Sequence, residues 1–275
     1  MWKKWGPWIG AVLITLASVV WQRRTGPTYP ARGTLTVGGT EIRLQLIRSH
    51  GGDGDQPVRI EVKDPAVTGL VVWRRFPSEE AWRTTAMTRN GDRLEASLPH
   101  QPPAGKLEYE VKVSKGADSA TFPPRPAVTR FKGDVNPFVL VPHVLAMFFA
   151  MFLSSVTGLK ALIPGEKLTR LTGHTLLLLC VGGGILGPRV QKEAFGAYWT
   201  GIPFGWDLTD NKTLIAIAAW ALAAWAIRGG RTVRLPVILA SLVTLSVYVI
   251  PHSVWGSEID WKKVPAAGVA TSSTS

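Results

Sequence analysis

The sequence predicts an α+β membrane protein: five transmembrane helices, with an extracytoplasmic β-sandwich inserted between helices 1 and 2. Three observations predict it. Five stretches carry no charge at all (5–21, 137–159, 171–188, 213–227 and 235–257), and crossing a hydrocarbon core takes about 20 apolar residues, with a usable range of roughly 17 to 25. Between the first two stretches the pattern switches to period two, the spacing of strands with one buried face. The chain is 46% apolar and only 18% charged, with 12 Trp, and Trp concentrates where membrane meets water.

Residues 1–27 read as a signal-anchor helix. A basic start (Lys3, Lys4) leads into an apolar centre, as in a secretion signal. The apolar run ends on Val19, Val20 and Trp21, too bulky for the small residues a cleavage site needs, so the segment is expected to stay attached. Residues 133–257 then supply four helices, with an aromatic outer loop at 189–211, and 258–275 form a small, polar carboxyl tail. The fourth stretch is short, and Lys212 and Arg228 at its ends are expected to snorkel outward and extend it.

Charge sets the orientation. With the amino end inside, the cytoplasmic pieces carry Lys3, Lys4, Lys160, Lys167, Arg170, Arg228, Arg231 and Arg234 against the single acid Glu166. The outer loop balances Arg189, Lys192 and Lys212 with Glu193, Asp207 and Asp210. Basic residues accumulate on the cytoplasmic side of short loops, so the amino end is expected inside. The amino terminus is then cytoplasmic, and the β-domain and carboxyl terminus periplasmic. Arg23 and Arg24 oppose this but are outnumbered.

Within 28–132 the alternating runs are 34–37, 41–47, 58–62, 69–73, 93–98 and 107–113. Asn90-Gly91 marks a hairpin, and glycines at 38–39 and 51–54 and the Pro102-Pro103-Ala104-Gly105 run mark turns. A Pro-rich exit follows Gly116. Many short strands with frequent turns indicate a β-sandwich, and the 107–113 run resembles the late strands of fibronectin-type or immunoglobulin-like domains. The immunoglobulin disulfide is absent, because Cys180 is the one cysteine; a disulfide framework and a Cys-based zinc site fall with it. Arg74-Arg75, between Trp73 and Phe76, reads as an exposed strand edge defended by charge. Nucleic acid is excluded as a partner by the extracytoplasmic placement.

Ionisable groups inside a membrane are functional hypotheses by default. Three histidines qualify. His143 lies about 9 Å into the second span at 1.5 Å per residue, His252 falls near the outer end of the fifth, and His174 is near the cytoplasmic start of the third. A b-type haem or pigment held by His143 and His252 is one reading. An interhelical hydrogen bond from each histidine is the other, and the unequal depths favour it. The glycine run 182–187 lacks the Lys-Ser/Thr ending of a phosphate loop and reads as a groove for close helix or ligand approach, with Pro188 closing the helix. Its two uses are tight packing inside this protein or a surface for a partner's helices or pigments. Trp220 and Trp225 point to different neighbours.

The outer loop concentrates Phe195, Tyr198, Trp199, Phe204 and Trp206, spaced by Gly196, Gly201 and Gly205. These aromatics read first as a belt at the headgroup level of the membrane and second as partner-docking anchors. Thr209 or Asp210 is expected to cap a helix starting near Asn211. Asp207 and Asp210 alone are a weak metal site. The stretch 195–212, FGAYWTGIPFGWDLTDNK, with GILGP at 184–188, resembles a signature of uncharacterised bacterial membrane proteins that carry no assigned activity. The resemblance implies an accessory subunit of a photosynthetic reaction-centre and light-harvesting complex, in a bacterial cytoplasmic (inner) membrane. Its partners would be other integral-membrane subunits and lipids, and the haem, bacteriochlorophyll or carotenoid of those partners would be in contact with it; no cofactor or metal would be its own.

These readings converge on a non-catalytic, integral-membrane scaffolding subunit of an energy-transducing complex. The five loop aromatics are its expected contacts. Catalysis is disfavoured because no nucleophile, base and orienting group assemble in the sequence. Transport is disfavoured because no repeat or pair of broken charged helices appears.

Overall fold

The computed structural model describes residues 2–231, 233–251, 259 and 261. It is an α+β protein of two compact units: 1–29 with 133–257, and 30–132 with 258–275.

The first unit is helical. Its helices are α1 (Trp2–Thr25), α2 (Pro137–Ala161), α3 (Thr169–Leu178), α4 (Gly187–Phe195), α5 (Leu208–Ile227) and α6 (Leu235–Val249). A π-helical segment, Leu179–Leu186, joins α3 to α4. Among the described residues, three helices are long and apolar enough to cross a membrane: Lys4–Thr25, Pro137–Ala161 and Thr169–Phe195. The sequence predicted five. α6 is apolar but has 15 residues, and α5 opens on Asp210, Asn211 and Lys212.

Several expectations in this unit are corrected. Pro188 does not close the third helix. It sits in the first turn of α4, directly after the π-helical segment, whose wider turn gives the pyrrolidine ring the room an α-turn denies it. The helix therefore runs on to Phe195, and the loop expected at 189–211 shrinks to 196–207. The cap of α5 is Asp207, whose side chain accepts from Thr209 N and Asp210 N, not Thr209 or Asp210. Lys212 does not snorkel. It is buried, and its Nζ donates to Ile250 O at 2.8 Å and Pro251 O at 3.3 Å, satisfying carbonyls left open where α6 ends. His174 is exposed on α3 and makes no interhelical hydrogen bond among the described residues. As predicted, the two tryptophans differ: Trp220 is fully buried, with Nε1 donating to Thr244 Oγ1 at 2.8 Å, while Trp225 is exposed under Arg228.

The second unit is built of strands: β1 (Ala31–Val37), β2 (Thr40–Leu46), β3 (Ser49–Gly51), β4 (Gln56–Glu61), β5 (Thr68–Phe76), β6 (Arg83–Ala86), β7 (Thr88–Asn90), β8 (Arg93–Leu98), β9 (Lys106–Lys115) and β10 (Asp118–Lys132). They form a hairpin β1-β2, a three-stranded sheet β4-β8-β7 and a five-stranded sheet β3-β10-β9-β5-β6. Only β3 against β10 is parallel. Residues from all three sheets enter one core, including Leu44, Leu46, Ile60, Leu98, Val111 and Phe131.

Local chemistry explains the connections. Gly38 and Gly39 join β1 to β2 with positive φ at both, the requirement of a type I′ turn. The β7-β8 hairpin turns on Gly91 and Asp92, since Asn90 itself pairs with Arg93. The Pro-rich exit is in fact part of β10, and the register shifts between Phe122 and Ala127, so the prolines sit where no ladder hydrogen bond is asked of them. Arg74 and Arg75 are not an exposed edge. Arg74 pairs with Glu108 and stacks on Trp82; Arg75 reaches Glu80 and stacks on Trp261. Most of the expected tail, and His252 with it, lies outside the described residues.

Candidate functional site

The helical unit encloses a cavity of about 520 Å³, within the size range of small-molecule sites. α1, α2, the π-helical segment, α4, α5 and Tyr248 of α6 line it. Its apolar lining includes Met147 and the buried Met151 together with Val144 and Phe148, which are also exposed; Arg23, Gln191, Asp207 and Asp210 are among its polar lining residues.

His143 is positioned by the glycine run. A Cβ on Gly182 would stand 2.8 Å from Ala146 Cβ, and one on Gly183 would stand 2.6 Å from Thr213 Cγ2. Only glycine lets α2 and α5 approach the π-helical segment this closely. Gly182 O accepts from the backbone N of Gly187 five residues on and from His143 Nδ1 at 2.8 Å. A carbonyl only accepts, so Nδ1 carries the hydrogen, and in the neutral ring the lone pair is on Nε2. The start of α2 is tied to α4 as well: Asn136 N donates to Glu193 Oε2 at 2.8 Å, and Arg189 Nε donates to Glu193 Oε1 at 2.9 Å.

Asp210 organises the loop. Its Oδ2 accepts from Thr200 N at 2.6 Å, Gly201 N at 3.0 Å and Gln191 Nε2 at 3.1 Å. Asn211 Oδ1 accepts from Ile202 N at 2.8 Å. A Cβ on Gly201 would meet Asp210 Cβ at 2.6 Å, and one on Gly205 would meet Thr200 O at 2.5 Å. These two glycines therefore serve the loop's own backbone. Asp207 and Asp210 are engaged by backbone and amide donors, and among the described residues no group of three potential metal ligands exists.

The predicted site residues separate. His143 and Phe195 line the cavity. Trp199 folds back, its Nε1 donating to Ile202 O at 3.0 Å, and Tyr198 OH accepts from Arg189. Phe204 and Trp206 project, 80% and 84% exposed. The unpredicted members are Thr15, Ser18 and Gln22 of α1. Their spacing of three and four puts them on one helix face, a signal present in the sequence but diluted by the surrounding apolar run.

Comparison with family models, with curated proteins and with solved structures finds no match.

Proposed function

We propose that the chain is an integral-membrane, non-catalytic accessory subunit that scaffolds a larger energy-transducing complex, of the photosynthetic reaction-centre or electron-transport type. In this reading five spans cross a bacterial cytoplasmic membrane, and the immunoglobulin- or fibronectin-like β-unit lies in the periplasm. The observation that carries it is the tip of the 196–207 loop. Phe204 and Trp206 are exposed on a loop whose backbone is already held by Asp210 and Asn211, so the fold itself does not require them. Rigid aromatic anchors of this type dominate binding interfaces. The unpaired outward faces of the helices, such as Leu13, Leu145, Phe149 and Leu222, add lateral surface for subunits or lipid.

Replacing Phe204 and Trp206 together by Ala is expected to leave the protein in the alkali-washed membrane fraction while partners fail to co-purify. Retention of every partner at wild-type stoichiometry would sink the scaffold reading. A second reading, a b-type haem or pigment carrier, draws support from the open Nε2 of His143. Its proposed partner ligand, His252, lies outside the described residues. A Soret band in the purified protein that disappears in His143→Leu would establish it.

A further inference from the structure

We infer that the helical cavity binds a hydroxyl-headed, single-chain amphiphile, its hydrogen-bond donors held by His143, Asp210 and Ser18 and its chain lying along Met147, Phe148 and Met151. The argument rests on how the polar groups of the wall are used. The principal side-chain donors inside it are engaged within the protein: His143 Nδ1 by Gly182 O, Gln191 Nε2 by Thr200 and Asp210, Gln22 Nε2 by Tyr248 O, Tyr248 OH by Met147 O, and Thr213 Oγ1 by Thr209 O.

The acceptors are not. Among the described residues, His143 Nε2, Asp210 Oδ1 and the Oε1 atoms of Gln22 and Gln191 have no hydrogen-bond partner, and neither has the Ser18 hydroxyl, although Ser18 is 8% exposed. The Thr15 hydroxyl is buried with no partner as well. Of these only the Thr15 hydroxyl is itself fully buried; the others open onto the cavity, and filling it with hydrocarbon alone would leave them unmatched at a cost. A ligand that supplies O–H groups at one end and hydrocarbon at the other matches all of these groups. A ligand with only acceptors, such as an ester or a ketone, can pair with the Ser18 and Thr15 hydroxyls but leaves His143 Nε2 and Asp210 Oδ1 unmatched. Arg23 also lines the cavity and is a further donor there; its side chain is exposed and stacks on Tyr29.

Two sources share this chemistry, a monoacylglycerol and a prenylated hydroquinone. The inference uses the membrane reading only in that such molecules reach the cavity from a bilayer. It requires no partner subunit, so the loop variants above do not bear on it.

The test uses the full chain in an amine-oxide detergent, whose head offers no competing hydroxyl. Monooleoylglycerol, a prenylated hydroquinone and methyl oleate are titrated separately and followed by native mass spectrometry. At least one hydroxyl-headed probe is expected to bind 1:1 and at least about tenfold more tightly than methyl oleate, consistent with two lost hydrogen bonds; the tighter of the two identifies the source. Ser18→Ala, a change too small to disturb the fold, is expected to weaken that probe about fivefold. Val144→Phe, which adds bulk to the cavity lining, is expected to weaken binding with the melting temperature retained. Equal binding of methyl oleate, full binding to a folded Val144→Phe, or no binding of either hydroxyl-headed probe overturns the proposal. So does a Soret band in the purified protein, which would assign the cavity to a tetrapyrrole.

Discussion

The two units bury opposite kinds of residue. The β-unit fills its core with large apolar side chains: Tyr109, Phe131, Ile42, Leu46, Leu98 and Leu107 are nearly inaccessible. The helical unit buries Ala150, Ala161, Ala216, Ala223 and Ala240 around Trp220, together with Ser154, Thr157, Thr175 and Thr244 and a few larger residues such as Leu179 and Ile227, and exposes many of its Leu and Phe side chains. A chain in water gains by hiding large apolar side chains. Helices in hydrocarbon gain nothing that way and associate through close backbone packing and hydrogen bonds between small residues. The burial pattern of each unit matches a different one of these two rules, which supports the membrane reading proposed above.

Four tests sharpen the contrast. The largest effect is expected from Phe131→Ala, because Phe131 is nearly fully buried between His50 and His100. Truncating a buried Phe costs about 3–5 kcal/mol, to be read as early unfolding of the β-unit in denaturant by site-resolved hydrogen exchange. In the helical unit the damaging change runs the other way, small to large. Gly183→Val puts carbon into the space of Thr213 Cγ2 and is expected to cost about 1–3 kcal/mol, seen as a lower melting temperature in detergent. If Gly183→Val is neutral while Ala240→Gly is severe, the close-packing account fails.

A matched pair isolates the hydrogen bonds. Tyr109 OH donates to Ile47 O at 2.7 Å in the β-core, and burial pushes its phenol above the usual range. Trp220 Nε1 donates to Thr244 Oγ1 in the helical core. Tyr109→Phe is expected to cost about 1 kcal/mol and Trp220→Phe nearer 0.6 kcal/mol for the hydrogen bond itself, compared by chemical denaturation with packing controls.

The smallest effect is acid sensitivity, and it belongs to the β-unit. Asp64 bonds Lys115 Nζ at 2.7 Å, Thr40 Oγ1 and Ala66 N, and the bonds from Lys115, Ala66 and Thr40 hold its carboxyl down at about 2. A depressed carboxyl contributes stability above its unfolded value of about 3.9 and loses it as pH falls toward about 2. Asp64→Asn should flatten that window of the β-unit's stability profile and leave the helical unit's profile unchanged. An identical slope in the variant would show the pair to be inert.

Much of the fold was legible before any coordinates. The six alternating runs are all strands, and Gly38-Gly39 marked its turn, because period two and positive φ are local properties. β10 was hidden, since prolines at 123, 124 and 126 read as an end to pairing; the register shift that accommodates them depends on what β9 offers opposite. His143 was legible as a costly residue in an apolar run. Lys212 was misread, because its rank as a snorkelling end or a buried cap depends on where α6 stops.

The sequence by itself determined where the chain turns apolar, where it alternates and how basic each loop is, because these depend only on residue type and spacing. Only the tertiary structure decided that Gly182 and Gly183 face helix neighbours, that Gly201 serves its own loop, and that Asp210 binds the backbone of 200–201. It alone decided that three polar residues of α1 share a cavity with His143. Those outcomes turn on distances between residues far apart in the chain, and a hydrogen bond is made or lost within a fraction of an ångström, a scale on which linear spacing carries no information.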